Sequence, residues 1–263
     1  MPVVSRGTRQ VPLTFSRMIM GQIICVMNQK GGVGKTTTTI NLAACLARGG
    51  FQTLIVDLDP QCNATSGLDR KPVTQHPFVS QLPLKEFIIS TDWSKLFLLP
   101  GAKSFGDVSA LNNGAPDQLE RIQEVFRSGL NSFDFVLIDS PPAVSSLTKT
   151  ALLCANQVLM PIQCEFFAME GISKMAQLLP GDMWQSTGIL LTMVDFTLEL
   201  SNEVENEVRE YFGDLVFKTR IPRDVAVSEA SSFGKPVIEY APRSRGARAY
   251  MELCMEVLDN EQE

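Results

Sequence analysis

Residues 22–48 read as an apolar run, QIICVMN, a glycine-rich turn and a helix, and this succession constrains the fold more than any other stretch. A strand apolar on both faces needs cover on both sides, which places it inside a parallel sheet. The turn, KGGVGKTTTT, leads into helical spacing of Ile40, Leu42, Ala43, Leu46 and Ala47, stopped by Gly49 and Gly50. Gly31, Gly32 and Gly34 can take backbone angles closed to other residues, so their N–H groups can converge on an anion. The positive end of the following helix adds to that attraction. The pattern predicts a phosphate loop, with Lys35 reaching β- and γ-phosphates, Thr36 on Mg²⁺ and Thr37 near the α-phosphate. One departure stands out. The usual spacing asks for glycine five places before Gly34, where Gln29 stands, followed by a second lysine, Lys30.

Further apolar runs cover 52–59, 96–101, 133–142, 156–163, 188–195 and 215–222, alternating with helical patterns at 117–128, 144–154, 168–178, 201–211 and 246–258. This predicts an α/β fold, a mostly parallel twisted sheet flanked by helices, of the P-loop NTPase kind. Residues 69–95 are the least patterned and read as an irregular excursion. A length of 263 residues with 44% hydrophobic content is ample for one such domain over 21–263. Residues 1–20 carry Arg6, Arg9 and Arg17 and no acid. They read as a disordered basic extension, as a result of an upstream start before Met18 and Met20, or as a small extra DNA or partner contact. Six cysteines without a C-x-x-C pair and a single histidine, His76, argue against a zinc site or disulfide framework. No apolar run is long enough to span a membrane.

Phosphate chemistry needs carboxylates at neighbouring strand ends to manage metal and water. Asp139 ends FVLID, the place of a carboxylate that binds Mg²⁺ through water. Asp57 and Asp59 end LIVDLD, and strand alternation points both to one face.

The blocks KGGVGKTTTTINLAACLA, LIVDLDPQCNATSGL, FDFVLIDSPP, PIQCEFFAMEGI and IPRDVAVSEASSFGKPVIEYAPRSRGARAY together resemble the ParA/Soj branch of the deviant Walker A ATPases. They run in family order from about 22 to 258. The resemblance implies slow ATP hydrolysis with Mg²⁺ and an ATP-dependent sandwich homodimer, in which Lys30 reaches the partner's phosphates. It implies that Asp59 positions or activates the attacking water, that Asp57 and Asp139 support Mg²⁺ from two switches, and that Lys30, Lys35 and Asp59 form the catalytic set. The nucleotide contacts are then Gly31, Gly32, Val33, Gly34, Lys35, Thr36 and Thr37, with Asp195 and Pro222 near the base. Cys62, Ser140 and Ser231 replace residues more usual in the family; Cys62 reads as a packing residue or a redox-sensitive one.

Formal net charge is −6, yet residues 216–250 hold seven bases against three acids, and the last thirteen residues hold five acids and no base. Such sorting suits contact with a phosphate backbone, independent of base sequence and sensitive to salt. By the resemblance, Arg223, Arg243 and Arg245 lead this DNA contact, with Arg220, Lys235 and Arg248 behind them. The expected cycle is nucleoid-associated, cytoplasmic and bacterial, with a ParB-like partner stimulating hydrolysis. Three other readings stay open: positioning of a non-DNA cargo, a membrane-cycling regulator, and a small-molecule ligase. The acidic C-terminus, MELCMEVLDNEQE, opposes an anionic membrane.

Overall fold

The structure is a computed structural model, and it describes residues 21–77, 83–103, 105, 126, 129–142, 145–179 and 181–260. The strands are β1 (Gln22–Val26), β2 (Thr53–Asp57), β3 (Ile89–Ser90), β4 (Leu96–Leu99), β5 (Phe135–Asp139), β6 (Gln157–Gln163), β7 (Thr187–Val194) and β8 (Val216–Pro222). They form one sheet in the order β3-β4-β2-β5-β1-β6-β7-β8. Every pairing is parallel except β3 with β4. The seven apolar runs seen in the sequence are the seven parallel strands. β3 falls in the stretch read as irregular, because a two-residue antiparallel strand is too short to show a period. The helical pattern at 117–128 lies outside the described residues, apart from the buried Phe126.

The described helices are α1 (Lys35–Arg48), α2 (Asn63–Ser66), α3 (Ser146–Cys154), α4 (Ala168–Ala176), α5 (Glu199–Phe212), α6 (Val225–Ser232), α7 (Val237–Tyr240) and α8 (Arg245–Asn260). α2, α6 and α7 are short helices beyond those the periodicity marks. Asp224 caps α6, accepting from Ala226 N at 3.0 Å, and also accepts from Gly246 N at 2.8 Å. One core lies between the sheet and α3, α4 and α5, through residues such as Leu152, Ile172 and Val208. The other lies against α1 and α8, through Leu42, Leu46, Tyr250 and Leu253.

α1 is buried nearly all round, so its polar residues need internal partners. They have them. Thr39 Oγ1 donates to Lys35 O, Thr38 meets the Tyr250 hydroxyl, and Asn41 Nδ2 donates to Thr37 O. Fixing α1 fixes the turn before it. Because β1, β2, β5, β6, β7 and β8 run parallel, their carboxyl ends share one edge, where an α/β sheet builds its site. The register sharpens this, with Val26 and Asp57 each paired with Asp139.

Candidate nucleotide site and basic strip

The turn between β1 and α1 is a cradle of backbone. Gly32 and Gly34 have φ of 78° and 92°, a region that favours glycine. A Cβ at Gly31 or Gly32 would meet nothing within 4 Å, so the mouth is open to a ligand. Outside contacts pin the loop. Thr192 Oγ1 donates to Val33 O at 2.9 Å, and Asn28 Nδ2 donates to Pro161 O at 2.8 Å. Lys30 N donates to Asn28 Oδ1 at 2.9 Å. Lys35 is buried, and its Nζ donates back to Lys30 O at 3.1 Å. Burial pulls the Lys35 pKa down, opposed by the charges of Asp139 and Asp59.

The three acids converge beside it. Asp57 and Asp139 are fully buried and Asp59 nearly so. Thr36 Oγ1 donates to Asp139 Oδ2 at 2.7 Å, which ties the first turn of α1 to the end of β5. Asp57 Oδ2 accepts from Thr65 N at 2.8 Å and Thr65 Oγ1 at 2.6 Å; its Oδ1 accepts from Asp59 N at 3.2 Å. Thr65 Oγ1 accepts in turn from Gly101 N at 2.8 Å, and a Cβ on Gly101 would lie 2.9 Å from Asp57 Cγ. Asp59 Oδ1 accepts from Gln61 N at 2.9 Å. Burial raises the carboxyl of Asp139 well above the usual range, aided by repulsion from Asp57 and only partly opposed by Thr36. Burial raises Asp57 too, against the pull of Thr65.

The sequence does not mark Thr65, Gly101, Thr192 or Asn28. Thr192, Gly101 and the Asn28 amide reach the site through hydrogen bonds between distant segments, and Thr65 and the Asn28 side-chain oxygen through short-range ones that no spacing announces; only Gly101, closing LFLLPG, gives a local sign. Met193, with φ of 52° at an irregularity of β7, gives none.

An open anion cradle beside three converging acids, with the buried Lys35 as the nearby cation, is short of positive charge. A divalent cation and an anionic ligand with many oxygens supply what each half lacks, so the residues fit a nucleoside triphosphate with Mg²⁺. Thr36, Asp57 and Asp139 could hold the metal, directly or through water.

The AAA domain family matches residues 21–181. The sporulation initiation inhibitor protein Soj of Bacillus subtilis is 40% identical over 253 residues, covering 92% of this chain and all of Soj. The chromosome-partitioning ATPase Soj of Thermus thermophilus is 42% identical over 247 residues, 91% of this chain and 96% of its own. The chain belongs to the ParA/Soj family of partitioning ATPases. Among solved structures, cobyrinic acid a,c-diamide synthase of Mycobacterium smegmatis with ADP and magnesium has a TM-score of 0.77 at 27% identity, covering 93% of this chain and 96% of the synthase. The septum site-determining protein MinD of Pyrococcus horikoshii with Mg-ADP has a TM-score of 0.75 at 26% identity, covering 93% and 99%. This ParA/Soj chain is thus an ATPase that works with ATP and Mg²⁺.

The remaining expected residues of the ParA/Soj chain fall in two groups. Asp195 and Pro222 follow or end β7 and β8, and Val194 pairs with Pro222, so both lie at the edge that carries the phosphate loop. Asp195 Oδ1 accepts from Thr197 N and Oγ1, which lowers its pKa. Of the basic strip, Arg223, Lys235, Arg243, Arg245 and Arg248 are exposed. Arg245 Nη2 donates to Arg223 O at 3.3 Å and Arg248 Nη2 to Arg243 O at 2.9 Å, which holds these two guanidinium groups against the backbone of the other two arginines at the start of α8. Arg220 differs. Its guanidinium donates to the buried Glu205 at 2.8 Å and lies 4.8 Å over the Phe196 ring. That pairing engages a charge on which the count along the strip relies. Phe233 and Tyr240 stack on each other at 5.2 Å.

Proposed function

We propose that this chain is a nucleotide switch for DNA segregation: ATP joins two copies face to face, and the joined pair holds DNA without regard to sequence. The observation that carries the reading is Lys30. It sits in the phosphate loop, yet it is the carbonyl of Lys30 that meets Lys35, and its own side chain is half exposed and turned to the neighbouring β6–α4 turn. A loop lysine not used by its own cradle is available to a second copy's phosphates. The surroundings suit burial against another chain, since Phe166, Phe167, Phe196, Leu198 and Leu200 are large, apolar and exposed after β6 and β7. Two triphosphates brought into a water-poor interface need added positive charge, and one lysine from each copy supplies it.

Within each copy the loop residues Gly31, Gly32, Val33, Gly34, Lys35, Thr36 and Thr37 would bind the phosphates, and Asp195 and Pro222 would flank the base. Mg²⁺, when bound, offsets charge on the phosphate oxygens, held by Thr36, Asp57 and Asp139. Asp59, fixed by Gln61 N, would orient the attacking water. Arg223, Arg243, Arg245, Arg248 and Lys235 would contact the DNA backbone, and a dimer would double the strip. A ParB-like partner would stimulate hydrolysis and so release the DNA, in the bacterial cytoplasm at the nucleoid.

The test is binding to random duplex DNA with ATP, with ADP and without nucleotide, across a salt series. ATP-dependent binding that weakens steeply with salt is expected. Protein that binds ATP but no DNA in any state would overturn the segregation reading. Liposome sedimentation and substrate-dependent phosphate release would then separate a membrane regulator from a ligase.

A further inference from the structure

We infer that Glu165 is a counterion that holds Lys30 back within its own chain, and that release of this pair sets how readily ATP joins two copies. The inference rests on the cross-subunit reading of Lys30. Among the described residues, the Lys30–Glu165 salt bridge is the one ion pair that involves the phosphate loop. The two backbones that carry it are tied together. Lys30 N is bound by Asn28, whose amide donates to Pro161 O on β6, and Glu165 follows that strand by two residues. Glu165 is itself held in a tight turn: its N–H donates to Gln163 O, and its carbonyl accepts from Ala168 N, both at 2.9 Å. The encounter is therefore built into the fold, unlike a chance meeting of two long surface side chains.

The pair is also weak enough to open. Side-chain exposure is 53% for Lys30 and 34% for Glu165, so water screens much of the attraction. Phe167, 64% exposed, lines the same small cavity as Lys30 and Glu165. A second copy covering this face would strip water from the pair and offer Lys30 a triphosphate, a stronger acceptor than one carboxylate. The lysine cannot serve both. Glu165 is thus a positioning residue, which acts through Lys30 and touches no nucleotide.

A partly exposed pair biases its own conformer by up to about fivefold, and a dimer must open two, so removal shifts dimerisation by up to about 25-fold. Two measurements test this. A carbodiimide, which joins a touching ammonium and carboxylate as an amide, should link Lys30 to Glu165 in nucleotide-free protein. In an Asp59→Ala background, ATP should suppress that link as dimers form. Light scattering in the same background should then give a tighter ATP dimer for Glu165→Gln, with ADP affinity of the monomer unchanged. Absence of the crosslink, or an unchanged or weaker dimer in Glu165→Gln, overturns the inference. If Lys30→Ala dimerises as the parent does, the cross-subunit role of Lys30 falls and with it the control of dimerisation by Glu165, while the crosslink still reports whether the pair forms.

Discussion

Replacing Asp57 by asparagine should make the nucleotide-free protein more stable while impairing its chemistry. Burial raises the Asp57 carboxyl from 3.8 to about 6, even though two hydrogen bonds from Thr65 and one from Asp59 N favour the anion. That rise amounts to about 3 kcal/mol by which the ionised carboxylate weakens the fold at neutral pH. The asparagine amide would remove the charge, keep an oxygen for Thr65, and lose the acceptor for Asp59 N, a cost of about 1 kcal/mol. The net expectation is a gain of about 2 kcal/mol at a pH of about 7.5, read by urea unfolding in EDTA. The sign follows from the direction of the shift. The folded value lies above the unfolded one, so the contribution of Asp57 is full below about 4 and is lost as pH rises through about 6. The gap between variant and parent should therefore open between those values. ATP turnover with Mg²⁺ should fall in the variant. A variant less stable than the parent near neutral pH, or a gap of the same size in acid and at neutrality, would refute the reasoning.

Lys30→Ala should keep ATP binding and lose the ATP-dependent dimer, and light scattering of an intact dimer would refute its cross-subunit role. Asp59→Ala should hold protein on DNA with ATP, since its water is no longer oriented; undiminished phosphate release would count against that assignment. Arg243→Glu should weaken DNA binding in a filter or anisotropy assay and leave dimerisation intact. Arg220→Ala should act on the fold, costing about 1–2 kcal/mol in urea unfolding, because it leaves the buried Glu205 with Arg209 alone; a DNA defect without loss of stability would return Arg220 to the strip.

Much of the site is legible in the sequence because its signals are local. A glycine turn between an apolar strand and a helix, and aspartates at strand ends, can each be read from a dozen neighbouring residues. Parallel strands then bring those stretches to one edge, as the Asp57–Asp139 register displays. What stays hidden depends on side-chain contacts that no local pattern announces, many of them between distant segments. Thr65 looks like any threonine of a short helix until Asp57 is set on its hydroxyl and Gly101 N–H behind it. Glu165 carries no mark of its own in the sequence until β6 places it by the phosphate loop. Arg220 counts as one base among seven in the strip, yet Glu205, fifteen residues earlier on α5, engages it. A count along the chain gives net charge but not which side chain a base faces.

One side chain on α1 has a mechanical consequence. Asn41 donates to Thr37 O in the first turn of α1, and its Oδ1 accepts from Val237 N, at the start of the helix that leads to Arg243 and Arg245, at 2.6 Å. The phosphate cradle and the scaffold of the basic strip are thereby bolted to the same rod, a single amide apart. Such a linkage leaves little room for a lever inside one chain. If nucleotide state governs the grip on DNA, it does so by arithmetic, two strips or one, and a tethered pair of copies should hold DNA even with an empty cradle.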